Sequence, residues 1–200
     1  FTEIFPPTTS GVTVSEENAL QYAAVYSAIR VLADTVAAIP LNIYRSLPGD
    51  AKERARTHYL FDLLHRKPNP EMSAADWQSL IMVNLNTWGN SYHEIERNAG
   101  RVVALWPRKP NKIKAKRREG GALYYEHRLS DGSKREIPAD RMLHISGLTL
   151  DGIQGLSPIG YHKEAIGLGI ATERFGAAFF GNGARPTTIL KHPGELGPQS

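Results

Sequence analysis

Seven cations crowd into eleven residues: Arg108, Lys109, Lys112, Lys114, Lys116, Arg117 and Arg118. Clustered cations bind phosphate by releasing its counterions, so contact with nucleic acid is one chemistry open to them. Lys112, Lys114 and Lys116 also alternate with Ile113 and Ala115, which is the pattern of a half-buried strand with a solvated outer face. Lysines along such a strand deter edge-to-edge pairing. Both readings stay open, because a formal net charge of +4 does not choose between them.

Other residue types offer less. A nucleophile elbow needs G-x-S-x-G on a strained strand-to-helix turn. Gly155-Leu156-Ser157-Pro158-Ile159 has only the first half of it, and Pro158 makes Ser157 a helix cap. Gly167-Leu168-Gly169 falls within a helical pattern, where its amides belong to the ladder and cannot cradle phosphate. Histidines 58, 65, 93, 127, 144, 162 and 192 lack the spacing of a metal-binding helix. The reading is therefore no catalytic residue, no metal ligand and no cofactor site.

The elements that would carry these residues begin with an extended stretch, 1–14, in which Pro6 and Pro7 oppose helix formation. A helix is expected from Thr13–Ser15 to Ala38, because Thr13 and Glu16 have capping-box spacing and Pro40 follows. Leu20, Ala24, Ala28, Val31, Thr35 and Ala38 line one side, with Val25, Ile29, Leu32 and Val36 beside them, as in a core helix. Leu41–Arg45 alternates like a strand, and SLPGDAKERART reads as a charged loop. One or two helical turns are expected at Tyr59–Leu64, then a helix capped by Ser73 and running to Trp88. From Gly89 the apolar period becomes two. Strands are expected at 91–97, 101–106, 112–118, 123–129, 134–137 and 142–145, with Asn98-Ala99-Gly100, Gly120-Gly121 and Ser130-Asp131-Gly132 as turns.

The last element is the least usual. Ser157 caps and Pro158 opens a helix that runs to Gly181, where Asn182 and Gly183 can end it. That is about 24 residues, or roughly 36 Å. Its apolar arc is wider than one core contact needs, and Gly160, Gly167, Gly169 and Gly176 each cost about 1 kcal/mol against alanine in a helix interior. Close packing against other helices would offset that cost. Lys163, Glu164, Glu173 and Arg174 interrupt any membrane-spanning run.

Composition sets wide bounds. At 41% hydrophobic and 22% charged residues the chain is an ordinary globular one, and without cysteine it has neither disulfide nor thiolate metal site. Both ends read as cut, so a fragment of a longer protein is expected. The fold class is α+β, with helices packed on an antiparallel sheet and a long helix projecting from that body.

Four blocks then carry a resemblance: ALQYAAVYSAIRVLADTVAAIPLNIYR, FDLLHRKPNPEMSAADW, WGNSYHEIERNAGRVVALWPRKPNKI and MLHISGLTLDGIQGLSPIGYHKEAIGLGIATERFGAAFFGNGARPTTIL. Their order, the Pro-Asn-Pro element, the Gly-Asn-Ser-Tyr strand start and the Gly-Leu-Ser-Pro helix start resemble the portal proteins of tailed bacteriophages, in the branch that accompanies the chainmail-type capsid. The resemblance implies a wing-like domain over 1–156, a stem-like helix over 157–181 and the start of a clip-like region over 182–200. It implies a non-enzymatic structural subunit in a homo-oligomeric ring, usually twelve-membered, at one vertex of the virion. Double-stranded DNA would pass through that ring during packaging and ejection. Implied partners are the terminase large subunit, head-completion or adaptor proteins, and capsid and scaffold proteins, met in the bacterial host cytoplasm during assembly. The stem-like helix would then face neighbouring subunits with Ile166, Gly167, Gly169, Ala171, Phe175 and Ala178. The alternative is a non-catalytic nucleic-acid-binding module acting through Arg108 to Arg118, with Lys112, Lys114 and Lys116 as phosphate contacts.

Overall fold

A computed structural model describes residues 6–184. The chain opens extended, with Val12 and Val14 buried and Thr13 between them exposed, the alternation of a strand-like segment. No helix starts at Thr13. The reciprocal bonds expected of Thr13 and Glu16 are made instead by Ser15 and Asn18: the Ser15 N–H donates to Asn18 Oδ1 at 2.8 Å and the Asn18 N–H to Ser15 Oγ at 3.2 Å. They open only a 3₁₀ turn, Ala19–Gln21, and helix α1 runs Ala23–Ala37. It buries Ile29 and Ala33 but leaves Ala24, Ala28, Val31 and Thr35 exposed, so half of the expected core helix faces outward.

Strand β1, Tyr44–Ser46, pairs antiparallel with β2, Lys52–Arg54. The second lies in the segment read as a charged loop, since a hairpin exposed along both strands leaves no apolar period to detect. Helix α2 spans Tyr59–His65 and α3 spans Ala74–Trp88. Ser73 and Asp76 form a reciprocal capping box at the start of α3, which satisfies two otherwise orphaned amides.

The remaining strands are β3 (Asn90–Asn98), β4 (Arg101–Arg108), β5 (Ile113–Arg117), β6 (Leu123–Arg128), β7 (Lys134–Pro138) and β8 (Met142–Ser146). They form two three-stranded antiparallel sheets, ordered β4-β3-β8 and β5-β6-β7, where one sheet was expected. Period-two patterning gives each strand a face but not a partner. Strand β3 is buried on both faces over Asn90–His93. Ser91 and His93 turn toward α3, which packs here through Trp77 together with Leu63 and Leu105. Tyr92 turns the other way, into a core shared with Ile113, Tyr125, Ile137 and Met142 of the strands beyond.

The long helix is interrupted. Helix α4, Pro158–Tyr161, and α5, Lys163–Gly181, are separated at His162, whose φ/ψ of −102°/14° leave the helical region. Its ring Nδ1 donates to the Pro158 carbonyl at 2.9 Å, and the same carbonyl accepts the His162 N–H at 3.1 Å. Ile159 and Ile166 join Val12, Val14, Ala19 and Ile29 in one core, so α1 and the root of α5 are packed together. From Thr172 to Ala184 every residue except Gly176 is exposed. No helix among the described residues is long and apolar enough to cross a membrane. The region read as 182–200 lies, from 185 onward, outside the described residues.

Candidate functional site

The feature that sets the direction of α4 and α5 is built from the end of α3, the start of β3 and the loop that returns from β8. Gly89 ends α3 in the left-handed conformation, with φ of 72°. Its carbonyl accepts the Gly147 N–H at 2.8 Å, and the returning chain lies so close that a Cβ on Gly89 would stand 2.1 Å from the Leu156 oxygen. A Cβ on Gly155 would meet the Gly89 oxygen at 2.0 Å. Two glycines therefore hold two backbones in contact.

Asn90 locks that contact. Its Oδ1 accepts the Gly155 N–H at 2.7 Å, and its Nδ2 donates to the Gly155 carbonyl at 2.8 Å and to the Trp88 carbonyl at 3.0 Å. One amide side chain thus satisfies both backbone polar groups of the buried Gly155. Ser157 completes the junction. Its Oγ accepts the Gly160 N–H at 3.0 Å, as an N-cap should, and donates to the Thr87 carbonyl at 2.8 Å, tying the cap of α4 to the last turn of α3. Glu16 Oε1 lies 3.2 Å from the same hydroxyl.

Two histidines support this arrangement, His93 fully buried and His144 half-buried. The Trp77 indole N–H donates to His93 Nδ1 at 2.9 Å, which leaves the imidazole proton on Nε2 to donate to Ser91 Oγ, also at 2.9 Å. His144 Nε2 donates to Asn90 Oδ1 at 2.9 Å, so its Nδ1 accepts from the Tyr125 hydroxyl at 3.3 Å. The ring of His144 stacks on Tyr92 at 4.3 Å. Burial disfavours the charged form of both rings and pushes each down to about 4, so both are neutral near pH 7 and can accept as well as donate. Scattered histidines in a sequence give no sign of this; the quoted Gly-Asn-Ser-Tyr strand start contains Asn90 and Ser91 but does not reveal what they bond.

The basic run takes a different form from a cationic face. Arg108 pairs with Glu94 at 2.6 Å, and Arg135 reaches the same carboxylate at 2.7 Å. Burial alone would raise the Glu94 carboxyl; hydrogen bonds from Arg135 and Arg108 override it and hold the group below the usual carboxylate range. Lys116 and Lys134 both pair with Glu126, at 2.8 and 3.2 Å, and Arg118 pairs with Glu136. Lys112 lies in a 3₁₀ turn, Pro110–Lys112, ahead of β5, and Lys114 is exposed on β5. The strand reading accounts for Arg108, Lys116 and Arg118, each of which is paired with a carboxylate carried by another strand.

The six helix residues expected to face other subunits are not brought to one face. Ile166 and Gly167 are buried inside the chain, and a Cβ on Gly167 would stand 2.6 Å from Thr8 Oγ1. A Cβ on Gly169 would be 2.7 Å from the Tyr22 ring. These glycines admit the chain's own N-terminal segment, a close approach that sequence alone cannot assign to one chain or two. Ala171 is half-buried, while Phe175 and Ala178 are exposed. Among the described residues no group of three or more His, Asp or Glu side chains is placed to hold a metal ion.

The family model for phage portal proteins matches residues 23–200. The chain is 32% identical over 197 residues to the probable portal protein of Streptomyces phage phiC31, covering 94% of this chain and 42% of that protein. It is 28% identical over 183 residues to the portal protein of Enterobacteria phage HK97, covering 89% of this chain and 42% of that one. The fold is similar, with a TM-score of 0.73 and 22% identity, to a chain in the neck of an empty GTA (gene transfer agent) particle computed with C6 symmetry, over 92% of this chain and 52% of that chain. The chain therefore spans less than half the length of the two curated relatives.

Proposed function

The chain belongs to the phage portal protein family, and from that premise we propose that it is a structural subunit of a portal ring at the capsid vertex. In this reading the body through residue 156 is the wing, α4 and α5 are the stem, and 182–200 begins the clip. The ring carries DNA in during packaging and out during ejection, and does no chemistry of its own. Its proposed partners are further copies of itself, the terminase large subunit, head-completion, capsid and scaffold proteins, and the double-stranded DNA in its channel. It would reside in the virion after assembly in the host cytoplasm.

The observation that carries the reading, beyond membership of the family, is the contrast along α5. Its root is fixed to the body by Ile166, and its distal half exposes Phe175 and Phe180 at 74% and 73%. Large apolar side chains so exposed on one helix mark an interaction surface. Since Ile166, Gly167 and Gly169 are occupied within the chain, we assign the subunit contact to the side of α5 that carries Phe175 and Ala178, with Ala171 at its edge. A phosphate-binding role for Lys112, Lys114 and Lys116 is not favoured, because Lys116 is committed to Glu126 and its neighbours Arg108 and Arg118 to Glu94 and Glu136. Electron micrographs of the full-length protein test the reading. Closed rings with a central opening are expected, and isolated subunits at micromolar concentration would overturn it.

A further inference from the structure

Helix α1 was expected to be covered, and only its inner side is. Around its axis the charged pair Arg30 and Asp34 keeps to one flank, at 3.4 Å from each other, and Val25, Ile29, Ala33 and Val36 point inward. The remaining arc carries no charge, and Val31 and Leu32 on it are 64% and 47% exposed. An uncharged helix face left open in this way needs a partner. Along α5, Leu168, Thr172, Phe175 and Phe179 form an exposed stripe opposite the buried Ile166, with the rings of Phe175 and Phe179 stacked at 6.4 Å.

The two faces match. On α1 the exposed positions Ala24, Ala28, Val31 and Thr35 fall at i, i+4, i+7 and i+11; on α5 Leu168, Thr172, Phe175 and Phe179 have the same spacing. The first set is low and flat and the second tall and aromatic, so the ridge of the second can lie in the shallow row of the first. Because the inner sides of α1 and α5 share one core, the outer faces turn away from it and cannot cover each other within a subunit. A closed ring needs this disposition, since its contacts are head-to-tail and join two different faces of the same chain.

We propose that the outer face of α1 in one subunit receives the Leu168, Phe175 and Phe179 stripe of the next, so that a second copy of this chain occupies both faces. This rests on the ring reading above and adds to it the identity of the receiving surface. The chain has no cysteine over these 200 residues, which makes site-directed cross-linking direct. Two full-length proteins freed of any other cysteine, one Val31→Cys and one Thr172→Cys, are co-expressed with different tags and treated with a short bis-maleimide. Ring formation is measured in the same samples by light scattering. The expected result is rings in which the mixed Val31 to Thr172 product predominates over either self-linked product. Rings with no mixed product, or with self-linked Val31 dimers in excess, overturn the pairing and leave the ring reading standing. Protein that stays monomeric overturns both.

Discussion

The two ends of the terminal helix follow opposite rules. At its root, Gly89, Asn90, Gly155 and Ser157 leave no room and few unpaired groups: three elements meet through backbone contacts and one buried amide. At its tip, Phe175 and Phe180 stand three-quarters exposed on a helix that nothing in the described chain covers. Burying a side chain of that size stabilises by about 1.5–3 kcal/mol. On the proposed function, the root fixes the direction of the helix and the tip meets another subunit. Changes at the root should cost stability, and changes at the tip should cost assembly alone.

The largest loss is expected from Gly89→Ala. It places a Cβ against the Leu156 carbonyl and a non-glycine residue at positive φ, so overpacking and backbone strain add, and about 4 kcal/mol should be lost in denaturant unfolding. An effect below about 1 kcal/mol would mean that the junction yields easily. Acid should act next. His93 has a folded value near 4 against 6.5 when unfolded, so stability is full above about pH 6.5 and drains as pH falls toward 4, by about 3 kcal/mol in the limit. His144, displaced the same way by burial, adds to the loss. Unfolding followed from pH 7 to 4 should show this slope, and His93→Gln should flatten it. Asn90→Ala comes third. It strands the buried Gly155 N–H and carbonyl, at a cost of about 3 kcal/mol. The smallest root effect is Ser157→Ala, about 1 kcal/mol for a lost cap.

What the sequence made legible divides along the same line. Ser157 and Pro158 announced the start of α4, Ser73 that of α3, and the period-two run the six strands after Gly89, because caps and alternation are local physics. Thr13 misled because Ser15 and Asn18 offer an equivalent pair two residues on. The interruption at His162 is a change of backbone angles at a single residue, which no apolar period reports. Asn90 was quoted only as part of a resemblance, since its partner Gly155 is 65 residues away. Most instructive is α1, read as a core helix because its apolar residues occupy most of its circumference. Periodicity registers that a face needs covering but not whether the cover comes from the same chain. The same ambiguity explains the glycines of α5, two of which admit Thr8 and Tyr22 and not a neighbour.

The most direct measurement is the mass in solution of the full-length protein and of its Phe175→Glu variant, taken beside their unfolding curves. The natural chain should form a closed ring of many subunits. The variant should unfold within about 0.5 kcal/mol of it, as exposed substitutions do, yet remain a single subunit. A natural chain that stays monomeric, or a variant that forms rings as readily as the natural chain, would contradict the claim that the tip of α5 is kept bare for a neighbour.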